Sequence, residues 1–306
     1  MTDLWTHSPV RIGPGRAAAV AACAGALTLI AGCGGGSGAG SAGSAGSPAP
    51  LTPRMAITLA ADQAKRVNSM SSTVMVNVSG MVSATTTGSI QVQLRPRLLA
   101  DEDLSIVSQG QTISMTDIVS ARAVYLKSAA LSAVTGPTGK TWLEIPLSDL
   151  SGSAGSALSS LLQNVQNGDP LTQTRMLAAS KDVHKVGPQV IDGVRTTHYA
   201  GTFTPKAAVA KLPAALRQQV APLLNLITGD IRFDAWIDAS HQVRKIAEVE
   251  TVSGEAVNLT MTITSLNKPV RIALPAPGQV LVAPASILGG GTGGAGGTGS
   301  GGPGTS

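Results

Sequence analysis

Val257-Asn258-Leu259-Thr260-Met261-Thr262-Ile263-Thr264 alternates an aliphatic side chain with a short polar one without interruption. Successive side chains of a strand point to opposite faces, so this run makes a sheet with one apolar and one wetted side. The same alternation recurs upstream. Val74, Val76 and Val78 alternate with Met75, Asn77 and Ser79, and Ile90, Val92 and Leu94 with Gln91, Gln93 and Arg95. It continues around Ile113 and Met115, and Ile231, Phe233, Ala235 and Ile237 face away from Arg232, Asp234, Trp236 and Asp238. A sheet wetted on one side only is characteristically antiparallel.

The apolar face needs a cover, and helical patterns supply it. Ile57, Ala60, Ala61, Ala64 and Val67 recur on one face of a segment that Asn68 and Ser69 should end. Two more such segments are Ala157 to Val165 and Ala207 to Ile227, the second interrupted by Pro213 and Pro222 and so bent or split. The fold class expected is therefore α+β: a strongly curved antiparallel half-barrel sheet covered by helices, with an apolar cavity between the layers. The inward positions Val74, Val76, Ile90, Val92, Leu94, Ile113, Met115, Ile231, Phe233, Ile237, Val257, Leu259, Met261 and Ile263 are its expected lining.

Turns punctuate the strands. Asp192-Gly193 should close a tight hairpin between Val186 to Ile191 and Thr196 to Phe203, and Asp238 to His241 another before Val243 to Val249.

Both ends of the chain read differently. Arg11 and Arg16 precede the uncharged apolar segment Ala17 to Ala31, and Ile30-Ala31-Gly32-Cys33 is the site recognised in bacterial lipoprotein maturation. That segment is shorter than the roughly 20 residues a helix needs to cross a bilayer. Residues 1–32 are thus expected to be a lipoprotein signal peptide, cut between Gly32 and Cys33 after the Cys33 sulfur takes a diacylglyceryl group. Two or three acyl chains hold firmly, since each buried methylene contributes about 0.8 kcal/mol. Residues 33–53 then form a lipidated cysteine and a flexible Gly/Ser tether, 54–283 the half-barrel domain and 284–306 a disordered Gly-rich tail. The expected location is the extracytoplasmic side of the cell membrane.

Composition narrows the function. Cys23 leaves with the leader and Cys33 is consumed, so no disulfide is expected and burial alone must hold the domain. A net charge of +5 is spread over scattered Lys and Arg, and aromatic residues are 2% of the chain, so nucleic-acid binding is not expected. Gly136-Pro137-Thr138-Gly139-Lys140-Thr141 imitates a phosphate loop, but Val134 stands where that motif requires glycine. Trp142-Leu143-Glu144-Ile145 behind it reads as a strand, whereas the motif opens a helix, so a turn is expected there. His184, His198 and His241 lack metal spacing, no G-x-S-x-G elbow occurs, and neither an enzyme nor a cofactor is expected. Trp142 and Trp236 read as packing residues.

Several segments together resemble one family. These are Val190-Ile191-Asp192-Gly193-Val194-Arg195-Thr196-Thr197-His198-Tyr199, Trp236-Ile237-Asp238 with Val243-Arg244-Lys245, and Leu266-Asn267-Lys268-Pro269-Val270 with Pro275-Ala276-Pro277. Tyr125-Leu126 and Lys140-Thr141-Trp142 fit the same pattern. The chain resembles the LppX/LprA/LprF/LprG family of actinobacterial lipoproteins over nearly all of residues 55–282, and departs from it in the Ser- and Gly-rich stretch Ser148 to Ser156. Members of that family are similar to the lipoprotein carriers LolA and LolB. The resemblance implies a half-barrel around an apolar cavity for acyl chains, and carriage of membrane lipids or lipoglycans between membrane and outer envelope. The partners implied are those lipids, the cell membrane through the anchor and a membrane transporter, with the protein a monomer. The alternative is an envelope sensor or assembly lipoprotein on the same scaffold, resembling the RseB-type regulators and acting through protein contacts.

Overall fold

The computed structural model describes residues 51–81, 83–149, 176–212, 217, 221 and 224–283. The expected signal peptide, Cys33, most of the tether, the tail and the helix expected at Ala157 to Val165 lie outside the described residues.

One twelve-stranded open, curved sheet organises the molecule, in the order β12-β6-β5-β4-β3-β2-β1-β11-β10-β9-β8-β7. Its strands are β1 (Ser69–Ser79), β2 (Ala84–Gln93), β3 (Leu99–Ser108), β4 (Gln111–Ser120), β5 (Ala123–Ser128) and β6 (Trp142–Pro146) in the first half. The second half supplies β7 (His184–Ile191), β8 (Val194–Phe203), β9 (Ile227–Asp238), β10 (Val243–Val252), β11 (Glu255–Leu266) and β12 (Val280–Val282). The two halves join where β1 pairs with β11, so the first and last long strands are neighbours at the centre. All pairings are antiparallel except that of β12 beside β6.

Three hairpins use one device. Gln109-Gly110, Asp192-Gly193 and Ser253-Gly254 each link paired strands with both residues at positive φ, from 46° to 87°. Such turns twist in the sense of the strands they connect, and their second position favours glycine because a Cβ is strained there. The hairpin expected at Asp192-Gly193 is the middle one. The turn after β9 depends on a side chain instead: Asp238 Oδ1 accepts from Ser240 N at 2.8 Å and Gln242 N at 3.0 Å, while Oδ2 accepts from Arg244 Nε at 2.7 Å. Gly136 to Thr138 is a helical turn within the connection from β5 to β6, with Gly139 at φ 67° and Trp142 opening a strand as expected.

Short helices and helical turns link the strands. Helix α1 (Pro53–Ala64) starts at Thr52, whose Oγ1 accepts from Met55 N, with Pro53 in the first turn. It buries Ala56, Ile57, Ala60 and Ala61. The expected extension to Val67 is corrected: Arg66 and Val67 close onto Gln63 and Ala64 carbonyls in the tighter i+3 manner, and the chain turns into β1. Val67 is buried beyond the helix end. Helix α2 (Ser132–Thr135) is one turn between β5 and β6, and α3 (Pro205–Lys211) repeats the Thr-Pro start through Thr204. Leu212 is extended directly before Pro213, as the residue preceding proline prefers, so α3 ends there; positions 217, 221 and 224 are helical again, so the segment expected over Ala207 to Ile227 is split as its prolines imply, and Ile227 itself opens β9 instead. Residues 213–216, 218–220 and 222–223 lie outside the described ones.

Candidate functional site

Pairing registers decide which side chains share a face, because residues directly opposite in neighbouring strands point the same way. Val74 faces Met261, Val76 faces Leu259, Val78 faces Val257 and Ser72 faces Ile263. Across the other edge of β1, Ser72 meets Ile90 and Met70 meets Val92. Leu104 is opposite Met115 and Ile106 opposite Ile113, while Ile246 faces both Met261 and Ala235, and Glu248 faces both Leu259 and Phe233. The inward positions chosen from alternation therefore fall on one surface. That surface carries α1, the short segment Met176 to Ser180, α3 and Leu224, all in one core cluster with the strands.

Burial along this face is uneven. Val74, Val76, Ile90, Val92, Ile231, Phe233, Ile237, Leu259, Met261 and Ile263 are buried; Leu94, Met115 and Val257 are partly buried against the same cluster. Ile113 differs, at 42% exposed, because it lies near the free end of the β3–β4 hairpin. The only aromatic rings in this cluster are Tyr199, Phe203 and Phe233. The rest is filled by aliphatic side chains, whose contact with a flexible hydrocarbon chain is non-directional.

Sequence alternation missed the polar members of the face. Glu102 sits between inward Ala100 and Leu104 and is opposite Asp117, and Glu248 lies between Leu259 and Phe233 in adjacent strands. Glu102 and Glu248 are buried, at 2% and 6% exposure. Burial pushes the Asp117 carboxyl up to about 7, with Asp101 and Asp103 adding repulsion, and burial also raises Glu250. The alternation phase would have found them: Glu102, Asp117 and Glu248 occupy inward positions of strands whose other inward residues are mostly apolar.

The covering segment is pinned from its end. Asp182 accepts from Thr202 N at 2.8 Å, Thr202 Oγ1 at 2.7 Å and Ser180 Oγ at 2.8 Å, and the Thr202 bonds hold its carboxyl down at about 2. Gly201 lets Ser180 approach: a Cβ there would meet Ser180 Oγ at 2.8 Å and the Phe233 ring at 3.0 Å.

The opposite, convex face is mostly Ser, Thr, Asn and charged residues, and Trp236 packs there. His198 stacks on it with centroids 4.4 Å apart, Lys245 Nζ lies 4.8 Å over the ring, and its Nε1 donates to Gln189 Oε1 at 2.6 Å. His198 Nε2 is 2.6 Å from Asp234 Oδ1. These contacts make Trp236 a brace joining β7 to β10. Trp142 is covered by Lys127 Nζ at 5.7 Å. Among the described residues no group of His, Cys, Asp and Glu has the arrangement to hold a metal ion, and no helix is long and apolar enough to cross a membrane.

An open half-barrel sheet with an aliphatic concave side closed by short helical segments is the class of protein these features define. No family model matches the chain. It is 30% identical over 154 residues, 48% of its own length, to an uncharacterised 31.2 kDa protein of Streptomyces griseus. The chain spans about half the length of the curated relatives it matches: 49% of that protein and 40% of a Streptomyces coelicolor protein named as a candidate lipoprotein. Among solved structures it is similar to LprF from Mycobacterium bovis, with 15% identity and a TM-score of 0.47 over 73% of this chain and 97% of that one. It is also similar to the Mycobacterium tuberculosis lipoprotein LppX, with 17% identity and a TM-score of 0.43 over 72% and 98%. Both carry names of the family that the sequence motifs resemble.

Proposed function

We propose that this chain is a membrane-anchored lipoprotein that holds the acyl chains of a lipid or lipoglycan against its concave face and carries them between membrane and outer envelope. The observation that supports the reading is the largely aliphatic surface that runs across β4, β3, β2, β1, β11, β10 and β9, covered by short helical segments. A chain leaving a bilayer for such a surface exchanges one apolar surrounding for another. The roughly 0.8 kcal/mol per methylene that forbids escape into water is then largely retained, and exchange runs near balance. Direction must come from a partner, such as a membrane transporter, or from a gradient.

Cys33 supplies the anchor in this reading, placing the domain on the extracytoplasmic side of the cell membrane as a monomer without a cofactor. The test is native mass spectrometry of the mature protein released from membranes in mild detergent. A lipid retained at one copy per chain, with the mass of an acylated Cys33, is the expected result. Empty protein that instead retains a partner protein would favour the sensor or assembly role, and Cys33→Ala that still incorporates a clickable fatty acid would remove the anchor.

A further inference from the structure

One row of side chains across the aliphatic concave face is largely polar. Ser72 in β1 is opposite Ile90 in β2, Ile90 is opposite Glu102 in β3, and Glu102 is opposite Asp117 in β4, so all four point inward along one line. Ser72 and Glu102 are each 2% exposed, whereas Asp117 is half-buried. The row therefore runs from a partly accessible carboxyl to a sealed hydroxyl. Among the described residues the other buried serines all donate a hydrogen bond: Ser69 to Lys268 O at 2.6 Å, Ser120 to Ala123 O at 2.9 Å and Ser180 to Asp182 Oδ1 at 2.8 Å. Ser72 Oγ is buried with no hydrogen-bond partner.

Taking a polar group out of water without a partner is costly, and position 72 belongs to the inward series Val74, Val76 and Val78, where an apolar side chain would avoid that cost. The chemistry of the row decides what can join it. A plain hydrocarbon chain offers these groups nothing, and an ester carbonyl only accepts. A hydroxyl both donates and accepts, so it suits a serine hydroxyl and a carboxyl group in either protonation state. With strands about 4.8 Å apart, Ser72 and Glu102 stand about 10 Å apart along the row, with Ile90 between them. Polar contacts broken by an aliphatic one match a hydrocarbon ligand punctuated by hydroxyls, not a wholly polar one. We propose that Ser72, Glu102 and Asp117 form a polar subsite within the concave face that selects lipids bearing hydroxyl groups over unsubstituted acyl chains. The subsite deepens the carrier reading and rests on it.

The test uses the full mature-length chain, residues 33–306, with Cys33→Ser so that no acyl group of its own competes. Displacement of a fluorescent fatty acid compares 12-hydroxystearate with stearate, for a hydroxyl on the chain, and glycerol monooleate with methyl oleate, for hydroxyls at the ester end. In at least one pair the hydroxyl-bearing probe is expected to bind roughly tenfold more tightly than its plain counterpart, and the pair that shows it locates the hydroxyl. Ser72→Ala and Asp117→Leu should each reduce that preference about threefold or more, with stearate binding unchanged. Ser72→Ala also controls for folding: losing an unpartnered hydroxyl leaves the melting temperature level or higher, and a purely structural role would not move the probe preference. Equal affinity within both pairs, or a preference that survives Ser72→Ala combined with Asp117→Leu, overturns the subsite and leaves the carrier reading standing. A protein that binds neither the fluorescent fatty acid nor any of the probes rejects the carrier reading, and the subsite with it.

Discussion

Gly201 sets how closely the covering segment approaches the sheet. A methyl group at this position would lie 2.8 Å from Ser180 Oγ and 3.0 Å from two carbons of the Phe233 ring, both of them buried groups with little room to retreat. Gly201→Ala should therefore cost about 1–3 kcal/mol, the usual range for overpacking, read as a lower urea midpoint at unchanged slope. Asp117 acts through charge. With its carboxyl held near 7, the folded chain keeps a proton that the unfolded chain releases near the ordinary carboxylate value, 3.8. Folding then binds a proton, so this group's contribution to stability falls as pH rises from about 4 to about 7 and is level above that. Asp117→Asn removes the charge and should flatten that slope, leaving the variant more stable than the parent at pH 8 by of the order of 2 kcal/mol. Urea unfolding of both proteins at pH 5 and pH 8 measures the difference, and a gap that does not widen with pH contradicts it. Asp182 has the opposite sign: its lowered carboxyl supports the fold above the ordinary value and ceases to as pH falls toward 2.

At the scale of elements, the hairpins depend on local chemistry and the sheet on long-range pairing. Gly193 sits at φ 79° with no atom within 4 Å of where a Cβ would stand, so Gly193→Ala tests backbone conformation without a clash. It should cost about 1 kcal/mol, visible as a lower melting temperature, because an L residue is strained at that φ. What was legible in the sequence follows the same division. Strands β1, β2, β9 and β11 announce themselves by alternation because one side is buried and most of the other is wetted, although β9 ends with Trp236 and Asp238 buried on its outer side. Strand β3 does not, since Asp101-Glu102-Asp103 places an acid on the inward side and hides the period. Strand β4 loses its period near its end, where Ile118, Val119 and Ser120 are all buried and so both faces are covered. Strand β12 is three residues long and exists through parallel pairing with β6, a contact no local pattern reports. The lining positions were readable from the same alternation, but the inward carboxyls and the exposure of Ile113 depend on register and on distance from a strand end.

For the whole molecule, the two terminal long strands pair at the centre of the sheet, so neither half can close without the other. A polypeptide covering residues 54–283 should accordingly unfold in one transition without oxidants, since no disulfide is expected in it. Coincident melting by far-ultraviolet circular dichroism and by tryptophan fluorescence checks this, and separated transitions would divide the proposed domain. The central claim is that the concave face holds acyl chains rather than serving as core alone. Val76, Val92 and Leu259 are each at most 5% exposed on that face, in three different strands. Val76→Trp, Val92→Trp and Leu259→Trp, each assayed by a melting curve paired with quantitative lipid extraction, put the claim at risk directly. The account predicts that the parent carries lipid and that the substitutions reduce its lipid content, with stability losses below the roughly 1–3 kcal/mol of overpacking. A lipid-free parent with all three variants severely destabilised would contradict it.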